Sequence, residues 1–145
     1  MKSRRIEERD AEAILAIQEA CPEIAQWAAA DYDRVARGEM AGWVSEENSA
    51  VFGFLVARRI VSEIEILNFA VSPDARGRGI GATLLREALT WGKEFGAVEA
   101  ILEVRASNGA ALRFYARHNF KVVGRRARYY NEPTEDALLL TAKLA

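Results

Sequence analysis

The chain has 145 residues, 50% hydrophobic and 28% charged, which is the size and balance of one globular domain with a real core. Lys and Arg total 20 against 21 Asp and Glu, so the net charge of -1 lacks the basic excess of a nucleic-acid binder, and no apolar run reaches the length of a membrane span. One Cys and one His exclude an internal disulfide, argue against a zinc site, and leave His118 as the only imidazole for any triad chemistry.

Asp10 is placed to cap a helix over residues 11–21, with Ile14 and Ile17 on one face and Pro22 as its stop. A second helical stretch covers 25–37 and ends at Gly38. The period then changes to that of strands. Segments 42–46, 50–57 and 64–71, with a turn at Glu47-Asn48-Ser49, read as an antiparallel meander. Ile80, Leu84, Leu85, Ala88, Leu89 and Phe95 carry a helix over 79–95 that closes near Gly96. Residues 98–104 are nearly all apolar, which predicts a strand covered on both faces. Ser107 or Asn108 caps a short helix through His118, with Asn119 in the left-handed position after it. Strands over 121–127 and 137–144 flank a polar loop at 129–135. The N-terminus, Met1-Lys2-Ser3-Arg4-Arg5, has no apolar stretch behind it, so the reading is a cytoplasmic protein without a signal peptide. The whole chain, 1–145, reads as a single α/β domain with a mixed sheet and helices on both faces.

Arg76-Gly77-Arg78-Gly79-Ile80-Gly81 lies where an apolar strand ends and an amphipathic helix begins. A helix start presents unpaired N–H groups and the positive end of the dipole, glycines let the backbone close on an anion, and two arginines add charge. This predicts phosphate binding, with a flexible basic turn as the alternative. The loop lacks the Gly-Lys-Ser/Thr of a P-loop and the spacing of a dinucleotide fold.

Arg76-x-x-Gly79-x-Gly81 after Phe69-Ala70-Val71-Ser72-Pro73 resembles the Q/R-x-x-G-x-G/A signature of the GCN5-related N-acetyltransferases. The resemblance continues through Leu102-Glu103-Val104-Arg105, Ser107-Asn108, Ala111, Phe114-Tyr115 and Asn119-Phe120. Arg128-Tyr129-Tyr130 followed by Glu135-Asp136-Ala137 is similar to the RimI-type branch, the ribosomal-protein N-terminal alanine acetyltransferases. Residues 64–144 carry the likeness; residues 1–60 share only the order of elements. Gln26 to Glu39, facing the acceptor, matches no motif.

The resemblance implies a mostly antiparallel sheet with one splayed parallel strand pair. It implies acetyl-CoA as cosubstrate, with the pyrophosphate on Arg76, Gly77, Arg78, Gly79, Ile80 and Gly81. The pantetheine arm would lie along Phe69, Ala70 and Val71, with the Val71 N–H as donor to the thioester carbonyl. Asn108 would contact the arm, cap a helix, or both. Glu103, an acid inside an apolar strand, would serve as general base, its pKa lifted by burial; the alternative is an acid paired with Arg105 or another arginine. Tyr115 would protonate the leaving thiolate, since a phenol stays protonated at neutral pH; otherwise it is a core aromatic. Tyr129, Tyr130, Glu132, Glu135 and Asp136 would wall the acceptor groove or form a solvated hairpin. Arg125, Arg126 and Arg128 would meet the CoA phosphates, an acidic partner or only water, and read as a solvated charge run; His118, in the last helical turn where a cation helps the dipole, reads as structural. Cys21 reads as a partly buried helix-end thiol. The acceptor is expected to be a protein N-terminus, with a ribosomal protein as first candidate. The rivals are a small-molecule amine acceptor and a CoA-binding regulatory module without turnover. No metal, nucleic-acid or membrane partner is expected, and the oligomeric state is left open.

Overall fold

The computed structural model describes residues 1–144. Seven strands form one sheet: β1 (Lys2–Arg5), β2 (Ala41–Glu47), β3 (Ala50–Ile60), β4 (Glu63–Val71), β5 (Glu99–Arg105), β6 (Lys121–Tyr130) and β7 (Glu135–Lys143). Their spatial order is β1-β2-β3-β4-β5-β7-β6. Every pair is antiparallel except β4 with β5. Helices α1 (Ala11–Glu19) and α2 (Ala29–Ala36) cover one face. Helices α3 (Ile80–Glu94) and α4 (Gly109–Arg117) cover the other.

The two faces hold separate cores. Leu55, Ile64, Leu84, Leu85 and Leu140 fill the α3–α4 side, and Ile14, Tyr32, Val44, Phe54 and Val56 fill the α1–α2 side. Burial of this many large apolar side chains, at roughly 1.5–3 kcal/mol each, is the main force holding helices to sheet.

Two features of β4 position the site. The parallel pairing with β5 runs only through Glu63↔Glu99, Ile64↔Ala100 and Glu65↔Ile101, and the strands part beyond it. Against β3 the register slips between Val56↔Asn68 and Ala57↔Ile66, so Leu67 is an extra residue, a β-bulge. Side chains alternate with period two, so one inserted residue reverses the phase. Ile64 and Ile66 face α3 before the bulge; Phe69 and Val71 face that side after it, and Asn68 and Ala70 turn toward α1 and α2.

The structure changes several expectations. Strand β1 was not foreseen, because a charged edge strand lacks apolar alternation. Asp10 does not cap α1. Its carboxylate accepts from Arg4 Nη1 (2.8 Å), Arg4 Nη2 (2.9 Å) and the Glu7 N–H (2.7 Å). Burial pushes the Asp10 pKa up, but these donors overcome it and hold it below the usual carboxylate value. The second helix begins at Ala29, not 25, because side chains engage the carbonyls of Ala25 and Trp27. Strand β5 is not covered on both faces: Ala100, Leu102 and Val104 are buried, while Ile101, Glu103 and Arg105 are half-exposed in alternation. Strand β6 runs on to Tyr130, shortening the polar loop to residues 131–134.

Candidate active site

Two cavities occupy the gap where β4 and β5 part. The first, about 470 Å³, lies on the α3–α4 side and is mostly apolar. Phe69, Ala70, Val71, Asn108, Phe114 and Tyr115 form its neck, and Arg76, Gly77, Gly79, Ile80 and Gly81 form its far end. Gly77 (φ +83°) and Gly79 (φ +78°) adopt the left-handed conformation, where a side chain is strained whatever the space. Gly79 is the N-cap of α3, and no side chain caps that helix. The first N–H groups of α3 therefore face the cavity with the positive end of the dipole, an anion site.

Arg76 lines this end but is partly engaged. Its Nε donates to the Val71 carbonyl (3.3 Å), and its Nη2 lies 3.3 Å from Cys21 Sγ and 3.5 Å from Glu23. Arg78 is exposed and lines neither cavity. Cys21 is fully buried and its thiol pKa is raised, by burial first and Glu23 second. Asn108 is the N-cap of α4, its Oδ1 accepting from the Ala111 N–H (3.1 Å), and it lines both cavities.

Pairing parity shows what β4 presents to the gap. Ser72 N–H donates to the Phe52 carbonyl (2.8 Å), so Val71, opposite Gly53, is in a non-hydrogen-bonded pair with β3. Its N–H points toward β5, where pairing has already ended. Phe69 has the same parity, but its N–H is taken by Asn68 Oδ1 (3.2 Å).

The second cavity, about 520 Å³, opens on the α1–α2 side. Glu103, Arg105, Tyr129, Tyr130 and Glu132 line it from β5 and the hairpin, Glu65 and Asn68 from β4, and residues 22–26 from the α1–α2 loop. Glu23, Ile24, Phe69, Asn108, Ala111 and Tyr115 line both cavities, so these join through the gap. Tyr115 is buried against Phe69, Phe114 and Phe120, and its hydroxyl makes no hydrogen bond among the described residues. Burial raises its pKa well above the usual phenol value, so its proton is retained far beyond neutrality.

Glu103 is not deeply buried; its side chain keeps 20% exposure and lies 3.4 Å from Arg126 Nη2. The alternative partner Arg105 is committed elsewhere, to Glu135 (3.0 Å) and over the Tyr130 ring (4.4 Å). Tyr130 is pushed up to about 12, by burial first and by the Glu103 charge second. Glu135 is held by Arg105 and Ser107, and Asp136 by Arg125 and the Arg128 N–H; neither lines a cavity. Of the three arginines read as solvated, Arg125 and Arg126 are thus in ion pairs. His118 lines the first cavity, its pKa lowered by burial and then by Arg117 and Arg86. Both effects disfavour its charged form, and its ring packs against Phe114 with 4.6 Å between centroids.

Sequence reasoning reached Gln26 but missed residues 22–25, Glu65 and Asn68. No local pattern marks them, because they meet only through the bulge and the loop packing. Asn68, a polar residue inside the apolar run of β4, was the one available signal.

A splayed parallel pair with an anion loop on one side and a carboxylate on the other is the arrangement of an acyl-transfer site. Residues 6–120 match the acetyltransferase (GNAT) family, and the chain belongs to that family of N-acetyltransferases. A putative ribosomal protein bS18-alanine N-acetyltransferase of Bacillus subtilis is 34% identical over 97 residues, covering 67% of this chain and 64% of the relative. This chain thus matches just under two thirds of that relative's length. The ribosomal protein bS18-alanine N-acetyltransferase of Escherichia coli is 30% identical over 101 residues, covering 68% of each. The crystal structure of Ard1 from Thermoplasma volcanium superposes with a TM-score of 0.89 at 25% identity, over 99% of this chain and 97% of that one. No described helix is long and apolar enough to cross a membrane.

Proposed function

We propose that this chain moves the acetyl group of acetyl-CoA to the N-terminal α-amine of a protein, with a ribosomal protein as first candidate, both substrates being bound together. The observation that carries the reading is the meeting of two cavities at Tyr115 and Phe69, with Glu103 on the acceptor side. The first cavity suits coenzyme A: free N–H groups and Arg76 at one end for a pyrophosphate, then an apolar neck with the Val71 N–H for an acyl oxygen. The second is lined by four carboxylates, Glu23, Glu65, Glu103 and Glu132, and one arginine, Arg105; three of the carboxylates also pair with Arg76, Arg58 and Arg126 from outside the lining, so the acidic lining favours a cationic acceptor through a partly compensated charge. Relatives named as ribosomal-protein alanine acetyltransferases support a peptide N-terminus.

Acetyl-CoA supplies the activated acetyl thioester. Glu103 takes a proton from the acceptor ammonium, directly or through one water, and passes it to solvent. The freed nitrogen forms the C–N bond as the C–S bond breaks. The Val71 N–H donates to the carbonyl oxygen while it carries negative charge. Tyr115 gives its proton to the departing sulfur and is reprotonated by the second proton the nitrogen loses. The assignments of Arg78, Tyr129, Tyr130 and Glu132 belong to the same proposal, with Arg78 acting only by its charge; Asp136, held outside both cavities, carries no acceptor role.

Thiol release from acetyl-CoA tests the reading, with a peptide beginning Ala-Arg, the same peptide N-blocked, free lysine and spermidine as acceptors. Release with the free N-terminus only is the expected result. Release with spermidine or lysine instead moves the acceptor to a small amine, which the acidic cavity would also suit. Binding of acetyl-CoA without release leaves a CoA-binding module and overturns the enzymatic reading.

A further inference from the structure

A buried polar chain crosses the acceptor side of the molecule and touches neither the anion loop nor Glu103. Asn68 Nδ2 donates both its hydrogens, to the Ala25 carbonyl (3.0 Å) and to Tyr32 Oη (3.0 Å). The Tyr32 hydroxyl donates to Gln18 Oε1 (2.5 Å), and Gln18 Nε2 donates to the Trp27 carbonyl (2.9 Å). The chain thus runs from one loop carbonyl, through three side chains on β4, α2 and α1, to another loop carbonyl two residues away. Asn68, Tyr32 and Gln18 are all buried. Gln26 adds to it from within the loop, its Nε2 donating to the Ile24 carbonyl (3.0 Å).

The bound loop has no helix or strand to hold it, yet residues 22–26 form one wall of the acceptor cavity. Its shape depends on these contacts, because the buried Asn68 and Gln18 amides would lose their acceptors if the loop moved away. The other end of Asn68 acts on the gap. Oδ1 accepts the Phe69 N–H (3.2 Å), which otherwise points into the gap with the same parity as the Val71 N–H. The β4 bulge makes this possible, since without it the Asn68 side chain would face α3.

We propose that Asn68 is a positioning residue with two outputs: it holds residues 22–27 as the acceptor wall, and it withdraws the Phe69 N–H so that the Val71 N–H is the donor left facing the acyl oxygen. This deepens the proposed function and rests on it for the identity of the acceptor side. The Asn68 carboxamide has no hydrogen to spare, so the assignment predicts sensitivity to each link rather than to bulk alone.

The test uses Tyr32→Phe, which removes the two hydrogen bonds of that hydroxyl and keeps the ring packing, together with Asn68→Ala and Asn68→Asp. Acceptor KM, acetyl-CoA Kd by calorimetry and amide exchange by mass spectrometry are measured on each. Tyr32→Phe and Asn68→Ala are expected to raise acceptor KM about tenfold, the worth of one buried hydrogen bond, and to leave the acetyl-CoA Kd within about twofold. Exchange should quicken at residues 22–28 and stay unchanged in α3 and β5. Asn68→Asp keeps an acceptor for the Phe69 N–H but loses both donors, so it should raise KM like Asn68→Ala while losing less kcat. A lowered melting temperature with unchanged acceptor KM, or exchange quickened uniformly over the chain, overturns the proposal. If the unsubstituted protein transfers to no amine, the proposed function fails, and the exchange pattern still decides whether Asn68 anchors the loop. Should Asn68→Ala fail to fold, Tyr32→Phe carries the test.

Discussion

The two sides of the β4–β5 gap are built from different materials. The cofactor side is mainly backbone: glycines at positive φ, the uncapped start of α3 and the Val71 N–H. The acceptor side is mainly side chains from the α1–α2 loop, β4, β5 and the β6–β7 hairpin. A site made of backbone needs residues that permit a conformation, and those sit together in sequence. A site made of side chains needs residues that the fold brings together, and those are scattered. The first kind leaves a motif; the second does not.

This contrast can be broken or sharpened by experiment. The largest effect is expected for Glu103→Gln, which should lower kcat about 10²- to 10⁴-fold while leaving calorimetric binding of acetyl-CoA unchanged, because it acts on the acceptor side. Full turnover across the pH range would remove Glu103 from the base role. Next is Tyr115→Phe, expected to cost about 10²-fold in kcat with both substrates still bound. Unchanged kcat in single-turnover measurements would leave Tyr115 as packing between the two cavities.

Gly79→Ala addresses the backbone-built side alone. A Cβ there meets no atom within 4 Å, so the cost is conformational, about 1–2 kcal/mol for a left-handed alanine. Acetyl-CoA Kd should rise about tenfold with acceptor KM unmoved, as that energy implies. An equal rise in both constants would mean that the two sides are not separable.

The alkaline limb of stability reads the side-chain-built side. Tyr32, Tyr115 and Tyr130 all have raised pKa values, burial being the leading cause each time. A raised folded-state pKa contributes stability that is complete below the unfolded value of about 10 and is lost as pH climbs toward the folded value. Urea midpoints should therefore hold to about pH 10 and then fall, and Tyr130→Phe should remove the share lost by about 12. A midpoint already falling between pH 8 and 9 would contradict these burials. The smallest effect is expected for Asp136→Asn. Its carboxylate serves Arg125 and the Arg128 N–H outside both cavities, so acceptor KM should change less than about twofold, the range of exposed ion pairs.

The outcome for individual residues follows the same division. The αL glycines, the Asn108 cap and the left-handed Asn119 (φ 69°) were legible because each is a local rule acting over a turn. Glu103 and Tyr115 were marked by their neighbours in sequence; both line the second cavity, and Tyr115 lines the first as well. Asp10 misled because a good capping residue found a stronger partner in Arg4, six residues away in sequence but on a strand the composition hid. The charge of His118 was not legible because burial, and then Arg117 and Arg86, act on it only in the folded chain.

Periodicity, caps and turn residues were enough for the meander, for α3 with its anion loop, and for the order of elements, since those depend on neighbours within a few residues. The phase of β4 after its bulge, the parting of β4 from β5, and the folding of residues 22–27 over the acceptor side arise from register and from contacts such as Asn68 to Ala25, 43 positions apart. A one-residue slip in a strand reverses every side chain beyond it, so the chemistry that faces the acceptor is set by strand pairing, which no short stretch of sequence contains.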